Sequence, residues 1–456
     1  MRKKFLWGAV IGLLLLLLTG CTGLFTYNSD ELVPPVSPST SGQYVVVLED
    51  WDVPEAALEE IRAAGGEVIR ALPQIGVVFV RAQDPDFPSR VAGLAGVEAV
   101  GPDKLLELRP VEPVGVVSPE QLSPKQHGVQ DNDIYMDQQW DIKRVGGIPE
   151  TWDVETGDGV TVAVLDTGVD WTHPDIAPNY AYGASYIDPA TLPPGYTLLE
   201  PGDAMDYAGH GTHVAGSIAA PIEQGRIIGV APGAQIANYK VLAVISDPEG
   251  RVSGRGFLSW IFPAIVDATD DGCQVINMSL GGDYDLSDPD GLAGYLAYCR
   301  ATQYAWERGT LVVAAAGNNL PRGLDLSQGP IRHAPGATPH ALSISATGPT
   351  DELAFYSNYG AFHVDFTGPG GDATAECWSA VPVSVDPDGY ATMVGTSMAT
   401  PKVTGVAALI YAHNPGINPD QVVETLKASA DDIGAPGYDF LYGWGLVNAY
   451  RAIVGP

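Results

Sequence analysis

Basic side chains are scarce in this chain. Lys and Arg number 23 against 55 Asp and Glu, a net charge of −32 over 456 residues. Nucleic-acid binding depends on cationic groups that neutralise phosphates, so so acidic a chain is excluded from that class, and its charge favours a soluble body. Cysteine is also sparse, with Cys21, Cys273, Cys299 and Cys377. An odd number follows Cys21, so these cannot all pair within the chain; a Cys273–Cys299 bridge and buried free thiols both stay open. Long apolar runs are missing as well. Phe5 to Leu18 is short for a membrane-spanning helix, which needs about 20 residues.

That run fits an export signal instead. Arg2, Lys3 and Lys4 precede it and Leu18-Thr19-Gly20-Cys21 closes it, the charge and length pattern of a signal peptide. LTGC resembles the bacterial lipoprotein box. The resemblance implies a signal over 1–20, lipidation of Cys21 as the first mature residue, and membrane contact only through that lipid.

Three segments further on carry chemistry: VAVLDTGVD with Asp166, HGTHVAG with His210 and GTSMATP with Ser397. A serine hydroxyl needs an imidazole to take its proton, and the imidazole needs a buried carboxylate to fix its tautomer. Asp166 follows the apolar run Val160 to Leu165, which reads as a buried parallel strand, so its carboxylate emerges at the strand's carboxyl end, where open α/β sheets build their sites. Ser397 precedes a helical run that begins near Met398 and continues through Val403, Val406, Ala407 and Leu409. That places the nucleophile at the positive end of a helix. On this reading Pro401 falls in the first turn, where a missing N–H costs nothing.

What these motifs lack is also informative. A zinc-peptidase motif has Glu after the first His and the second His four residues on; here Gly211 follows His210 and the next histidine is His213, which reads as structural. GTSMA is not the nucleophile elbow of lipases, because Ala399 stands where that motif has its second Gly. The chain order Asp, His, Ser is that of subtilisin. With the three extended motifs, it makes the region resemble the subtilase family of serine peptidases.

The resemblance implies further roles. LVVAAAGNN places the oxyanion-hole amide on Asn318, with the backbone N–H of Ser397 as second donor. VINMSLGG implies that Ser279, Leu280 and Gly281 pair with substrate backbone, and Gly254, Arg255 and Gly256 match the family's second pairing edge. Leu258 falls near a distal pocket, and Arg255 is either on the substrate-facing edge or simply solvated. Main-chain pairing to protein or peptide substrates predicts broad specificity. The stretch Asn319 to Pro335 would line the primary pocket, whose preference stays open. A structural calcium site is implied at Asp133, Asp175 and Glu223, although Glu223 stands where the family has Asn. An inactive subtilase used for binding would lack a triad member, and none is missing. A hydrolase of small esters would not need two peptide-pairing edges.

The chain divides visibly. A Pro/Ser-rich tether covers 21–42. Residues 43–103 alternate strand and helix signals in the order βαββαβ, the ferredoxin-like plan, and resemble the subtilase inhibitory propeptide, an intramolecular inhibitor. A Pro-rich connector over 104–128 is the natural place for maturation cleavage. Residues 129–456 alternate apolar strands and helices, so the fold class is α/β with a mainly parallel sheet, the subtilisin-like three-layer arrangement. Strands are expected at Val160–Leu165, Gln235–Val241, Val275–Ser279, Leu311–Ala316 and Ala341–Ala346. The product would be exported, with the lipid on the precursor and the mature body extracellular or periplasmic.

Overall fold

A computed structural model describes residues 42–108, 138–146, 148, 150–222 and 225–455. The expected signal, Cys21, the tether, most of the connector, Asp133 and Glu223 lie outside the described residues. None of the described helices is long and apolar enough to cross a membrane.

The first folded stretch carries β1 (Gln43–Leu48), α1 (Glu55–Ala63), β2 (Glu67–Leu72), β3 (Val77–Arg81), α2 (Phe87–Ala92) and β4 (Val97–Pro102), followed by a short β5 (Leu105–Glu107). The four longer strands form an antiparallel sheet in the order β2-β3-β1-β4, the ferredoxin-like arrangement. The central strands are apolar from Val45 to Leu48 and from Val77 to Val80, because both faces of the sheet are covered there. On one face Val46, Leu48, Val78 and Val80 pack with Leu58, Ile61, Phe87 and Val91 from the two helices. On the other, Val45, Val47, Val77 and Phe79 join the core of the body that follows, where the Phe79 and Phe262 rings lie 6.0 Å apart. Arg300 adds a polar anchor, donating to the carbonyls of Asp50 and Ile75 and pairing with Glu98.

The body opens with α3 (Trp140–Arg144), β6 (Thr161–Asp166), β7 (Tyr180–Ser185), the short β8 (Thr197–Leu198) and α4 (His210–Ala219). Next come β9 (Gln235–Lys240), β10 (Ala243–Ser246), β11 (Val252–Phe257), α5 (Leu258–Asp270), β12 (Val275–Met278), β13 (Gly282–Asp285) and α6 (Pro289–Glu307). The chain continues through β14 (Leu311–Ala315), β15 (Ile331–Ala334), β16 (Ala341–Thr347), β17 (Phe366–Pro369), β18 (Cys377–Ala380), β19 (Tyr390–Met393) and α7 (Thr396–His413). It ends in α8 (Pro419–Ser429) and α9 (Ala449–Val454). Seven of these strands make the main sheet, ordered β17-β16-β14-β12-β6-β9-β7 and parallel at every pairing. Each of the five expected strands is present within a residue or so of its expected limits.

The α7 helix is buried on nearly all sides, from Met398 to Tyr411, so it runs through the core and shows no amphipathic stripe. It starts at Thr396, ahead of the expected Met398, which corrects the reading of Pro401. That proline lies inside the helix and not in its first turn. Cys273, Cys299 and Cys377 are free thiols, so the Cys273–Cys299 bridge does not form.

Candidate active site

Three adjacent strands bring the site together at their carboxyl ends. Asp166 ends β6, Ser279 follows β12 and Asn318 follows β14. Asp166 is fully buried, and its Oδ1 accepts from the Thr167 N–H and from Nδ1 of His210, both at 2.7 Å. His210 is the first residue of α4, entered through Gly209 at φ 90°, a left-handed turn that suits glycine. Burial pulls the His210 imidazole down, but the charge and hydrogen bond of Asp166 outweigh it and hold the group above its ordinary 6.5.

Asp206 positions this turn, and the motifs did not reveal it. Buried ahead of α4, it accepts from the N–H groups of Ala208, Gly209 and Thr212 and from the hydroxyls of Thr212 and Thr167. The available signal was an acidic residue just before a helix start, which is the chemistry of an N-terminal cap.

Ser397 lies in the first turn of α7. Its hydroxyl donates to the Ser279 carbonyl at 3.0 Å, and the Ser279 hydroxyl donates to the Ser397 carbonyl at 2.8 Å. This crossed pair has a backbone cause. Pro401 has no N–H for the carbonyl four residues before it, which is that of Ser397, and Ser279 fills the gap. Asn277 supports the arrangement by donating to Ser279 Oγ at 3.0 Å while accepting from Thr404 at 2.8 Å.

Asn318 is oriented with equal definition. Its Oδ1 accepts from the Thr396 N–H at 3.0 Å and the Thr396 hydroxyl at 2.9 Å. A backbone N–H can only donate, so the side-chain oxygen must face α7 and the NH2 must face away. The N–H of Ser397 belongs to the unpaired first turn of the helix.

Gly254, Arg255 and Gly256 lie within β11, and β5 pairs with them antiparallel, setting Arg255 opposite Glu107, Gly256 opposite Leu106 and Phe257 opposite Leu105. The Leu108 N–H continues the ladder to the Gly254 carbonyl at 2.9 Å. Arg255 is not solvated: its side chain is 4% exposed and pairs with Glu107 and Asp247. Leu258, buried at the start of α5, shares an apolar cluster with Leu106, Leu280 and Tyr284. Among the described residues Ser279 to Gly281 makes no backbone hydrogen bond to β5, so this strand engages one of the two expected edges.

Comparison with known proteins accords with this geometry. The model of the subtilase family matches residues 157–445. Subtilisin BL of Lederbergia lenta is 37% identical over 69% of this chain and 97% of its own length. The chain belongs to the subtilase family. It is thus a subtilisin-like protein of the serine endopeptidases. The thermophilic serine proteinase of Bacillus sp. (strain AK1) is 36% identical over 66% of the chain, which spans 64% of that proteinase. The crystal structure of fervidolysin from Fervidobacterium pennivorans, described as a keratinolytic enzyme related to subtilisin, superposes with a TM-score of 0.68 at 28% identity, covering 91% of this chain and 61% of that one.

The subtilase carries a residue beside the Ser279–Gly281 segment that sequence reasoning missed. His333, from the charged stretch expected to line the primary pocket, donates through Nδ1 to Asp283 Oδ1 at 2.7 Å. Its ring sits so close behind the Ser279–Gly281 edge that a Cβ on Gly281 would fall 2.5 Å from Nε2. Burial raises the Asp283 carboxyl, but the hydrogen bond and charge of His333 bring it below its ordinary value. Nothing in the local sequence pairs His333 with Asp283, which lies on β13.

His213 is structural, as expected. It is buried, bonded to the Cys377 carbonyl at 3.0 Å, and pushed down to about 3 by burial with the nearby Lys402 charge adding to it. Among the described residues no cluster of three or more metal-ligating side chains occurs. Of the calcium candidates only Asp175 is described. It is fully buried, its oxygens accept from the N–H groups of Arg226 and Ile227, and among the described residues it has no ion pair. A buried carboxylate without a cationic partner suits a hard cation.

Proposed function

We propose that this chain is an exported serine endopeptidase, made as a proenzyme, that cleaves peptide bonds through Asp166, His210 and Ser397 with an acyl-enzyme intermediate. The observation that carries the reading is the 2.7 Å bond between His210 Nδ1 and Asp166 together with the Asn318 side-chain oxygen held by Thr396, which turns its NH2 away from α7. Ser397 Oγ rotates from the Ser279 carbonyl toward Nε2 of His210, which takes its proton as the oxygen attacks the scissile carbonyl. The Asn318 NH2 and the Ser397 N–H then hold the oxyanion, and His210 returns the proton to the leaving amine. Water later repeats the sequence on the ester. The raised His210 fits a group that must carry charge in the transition state.

In this reading residues 43–103 are an inhibitory propeptide, and the β5 strand lying on β11 blocks the cleft until the connector is cut. Calcium would be held by Asp175 with Asp133 and Glu223 and would supply structural stability, taking no part in the bond-breaking. The lipid on Cys21 would anchor the precursor, so that one cut in the connector also releases the protease, because the multiple acyl chains of a lipoprotein hold firmly where one does not. Ser397→Ala in the full chain tests the reading. The variant should remain a single unprocessed polypeptide in the membrane fraction, while the wild-type body becomes soluble. Normal processing by Ser397→Ala would overturn the assignment.

A further inference from the structure

We propose that Arg255 and Ser253 form a carboxylate-binding subsite, which selects Glu in a substrate at the position that Glu107 occupies here. The proposal rests on the endopeptidase reading of the cleft.

The β5 strand lies antiparallel on β11, the ladder an extended substrate would use. Glu107 is directly opposite Arg255, so the two side chains share one face of that ladder. One oxygen of Glu107, Oε1, accepts from Arg255 Nη2 at 2.7 Å and from Ser253 Oγ at 2.7 Å. Two donors converging on one carboxylate oxygen constitute recognition, whereas a solvated arginine would make no such pair.

The body holds the guanidinium in place by itself. Nη2 also pairs with Asp247 at 3.1 Å, Nη1 donates to the Ile245 and Arg251 carbonyls at 3.4 and 3.3 Å, and the Tyr196 ring centre lies 5.9 Å away. None of these groups belongs to β5. When that strand leaves, the donors stay aimed at the groove, and a substrate carboxylate finds them already ordered. The local charge favours the same occupant. Arg251 is paired with both Asp247 and the exposed Glu249, while Arg255 turns its Nη2 to the Glu107 carboxylate on β5 as well as to Asp247. The cation that a side chain at this position meets is therefore the Arg255 guanidinium. A Lys at this position would meet it with like charge, and a Gln would keep one hydrogen bond and lose the attraction.

Glu107 is 42% exposed, so solvent screens the pair and the selection is moderate, about tenfold in kcat/KM for Glu over Gln. The test uses the self-processed enzyme and three internally quenched peptides built on residues 104–108, with Glu, Gln or Lys at the Glu107 position. Expected is the order Glu, Gln, Lys at low salt, with the Glu-to-Gln ratio falling by 1 M salt. Arg255→Gln should bring that ratio near one, and Ser253→Ala should lower it about threefold. Should Arg255→Gln fail to fold, the wild-type salt titration and Ser253→Ala decide the matter. Equal cleavage of all three peptides by wild type at low salt overturns the subsite alone. Absence of any Ser397-dependent cleavage overturns the endopeptidase reading, and the subsite falls with it.

Discussion

Removing the Ser279 hydroxyl should destabilise the protein, and removing Pro401 as well should restore part of the loss. Ser279 is fully buried, and its hydroxyl donates to the Ser397 carbonyl at 2.8 Å and accepts from Asn277 at 3.0 Å. Ser279→Ala leaves one buried carbonyl and one buried N–H without partners. Each such group costs about 1–3 kcal/mol, so with partial relaxation the loss is about 2–4 kcal/mol. Pro401→Ala puts an N–H where the helix would ordinarily satisfy the Ser397 carbonyl. Alone it should cost about 0.4–1 kcal/mol, because the proline ring restricts the unfolded chain. Combined with Ser279→Ala it should recover about 1–2 kcal/mol, and set against its cost alone that is a favourable coupling of about 1.4–3 kcal/mol. Equilibrium denaturation in a Ser397→Ala background, which retains the carbonyl and prevents self-digestion, measures all four corners of the cycle. If the double variant is no more stable than the sum of the singles, the hydroxyl is not the partner of that carbonyl and the account of Pro401 is wrong.

Asn318→Ala should lower kcat by about 10²- to 10³-fold with KM little changed, since the amide acts on the oxyanion and hardly on the bound ground state; a loss confined to KM would make it a ground-state binder. Excess chelator should lower the unfolding temperature before it lowers activity at moderate temperature, because a metal bound only by the native state stabilises by mass action; an unchanged unfolding temperature would remove calcium from Asp175. Asp103, buried against the N-terminus of α5 where it accepts from the Ser259 N–H at 3.0 Å, is pushed up by burial to about 7 from 3.8. The folded state then binds the extra proton, so the contribution of Asp103 to the stability of the Ser397→Ala proenzyme should be fullest below about pH 4 and be lost as pH rises through about 7. Asp103→Asn should flatten that slope between pH 4 and 8 in thermal unfolding, and an unaltered slope would exclude Asp103 as its source.

Much of the fold was legible because its signals are local. The strand β6 is an unbroken apolar run ended by Asp166, and β2 and β4 begin and end where the sequence alternation does. The proposed catalytic residues Asp166, His210 and Ser397, with Asn318, could be picked out because each sits in an extended motif whose residues are fixed by their own turn. What escaped depends on partners far away in the chain. His333 gains its place from Asp283, Arg255 is buried by Asp247 and Glu107 where solvation was an open expectation, and β5 becomes a strand only because β11 is there to pair with it. Pro401 was misplaced for a related reason. Thr396 and Ser397 look like loop residues locally, yet Asn318 caps the Thr396 N–H and extends the helix backward by two residues.

The pairing of β5 with β11 also has a kinetic consequence. A strand joined to the same polypeptide presents itself to its groove at an effective concentration of about millimolar for a short tether. A free peptide at micromolar levels competes poorly against it, and diluting the sample does not help, because both partners are diluted together. Scission changes the order of the reaction. Once the connector is cut, occupancy of the groove becomes bimolecular, and the same contacts that persisted at any dilution now weaken with volume. Onset of activity in a processed sample should therefore depend on total protein concentration, whereas in an unprocessed one it should not.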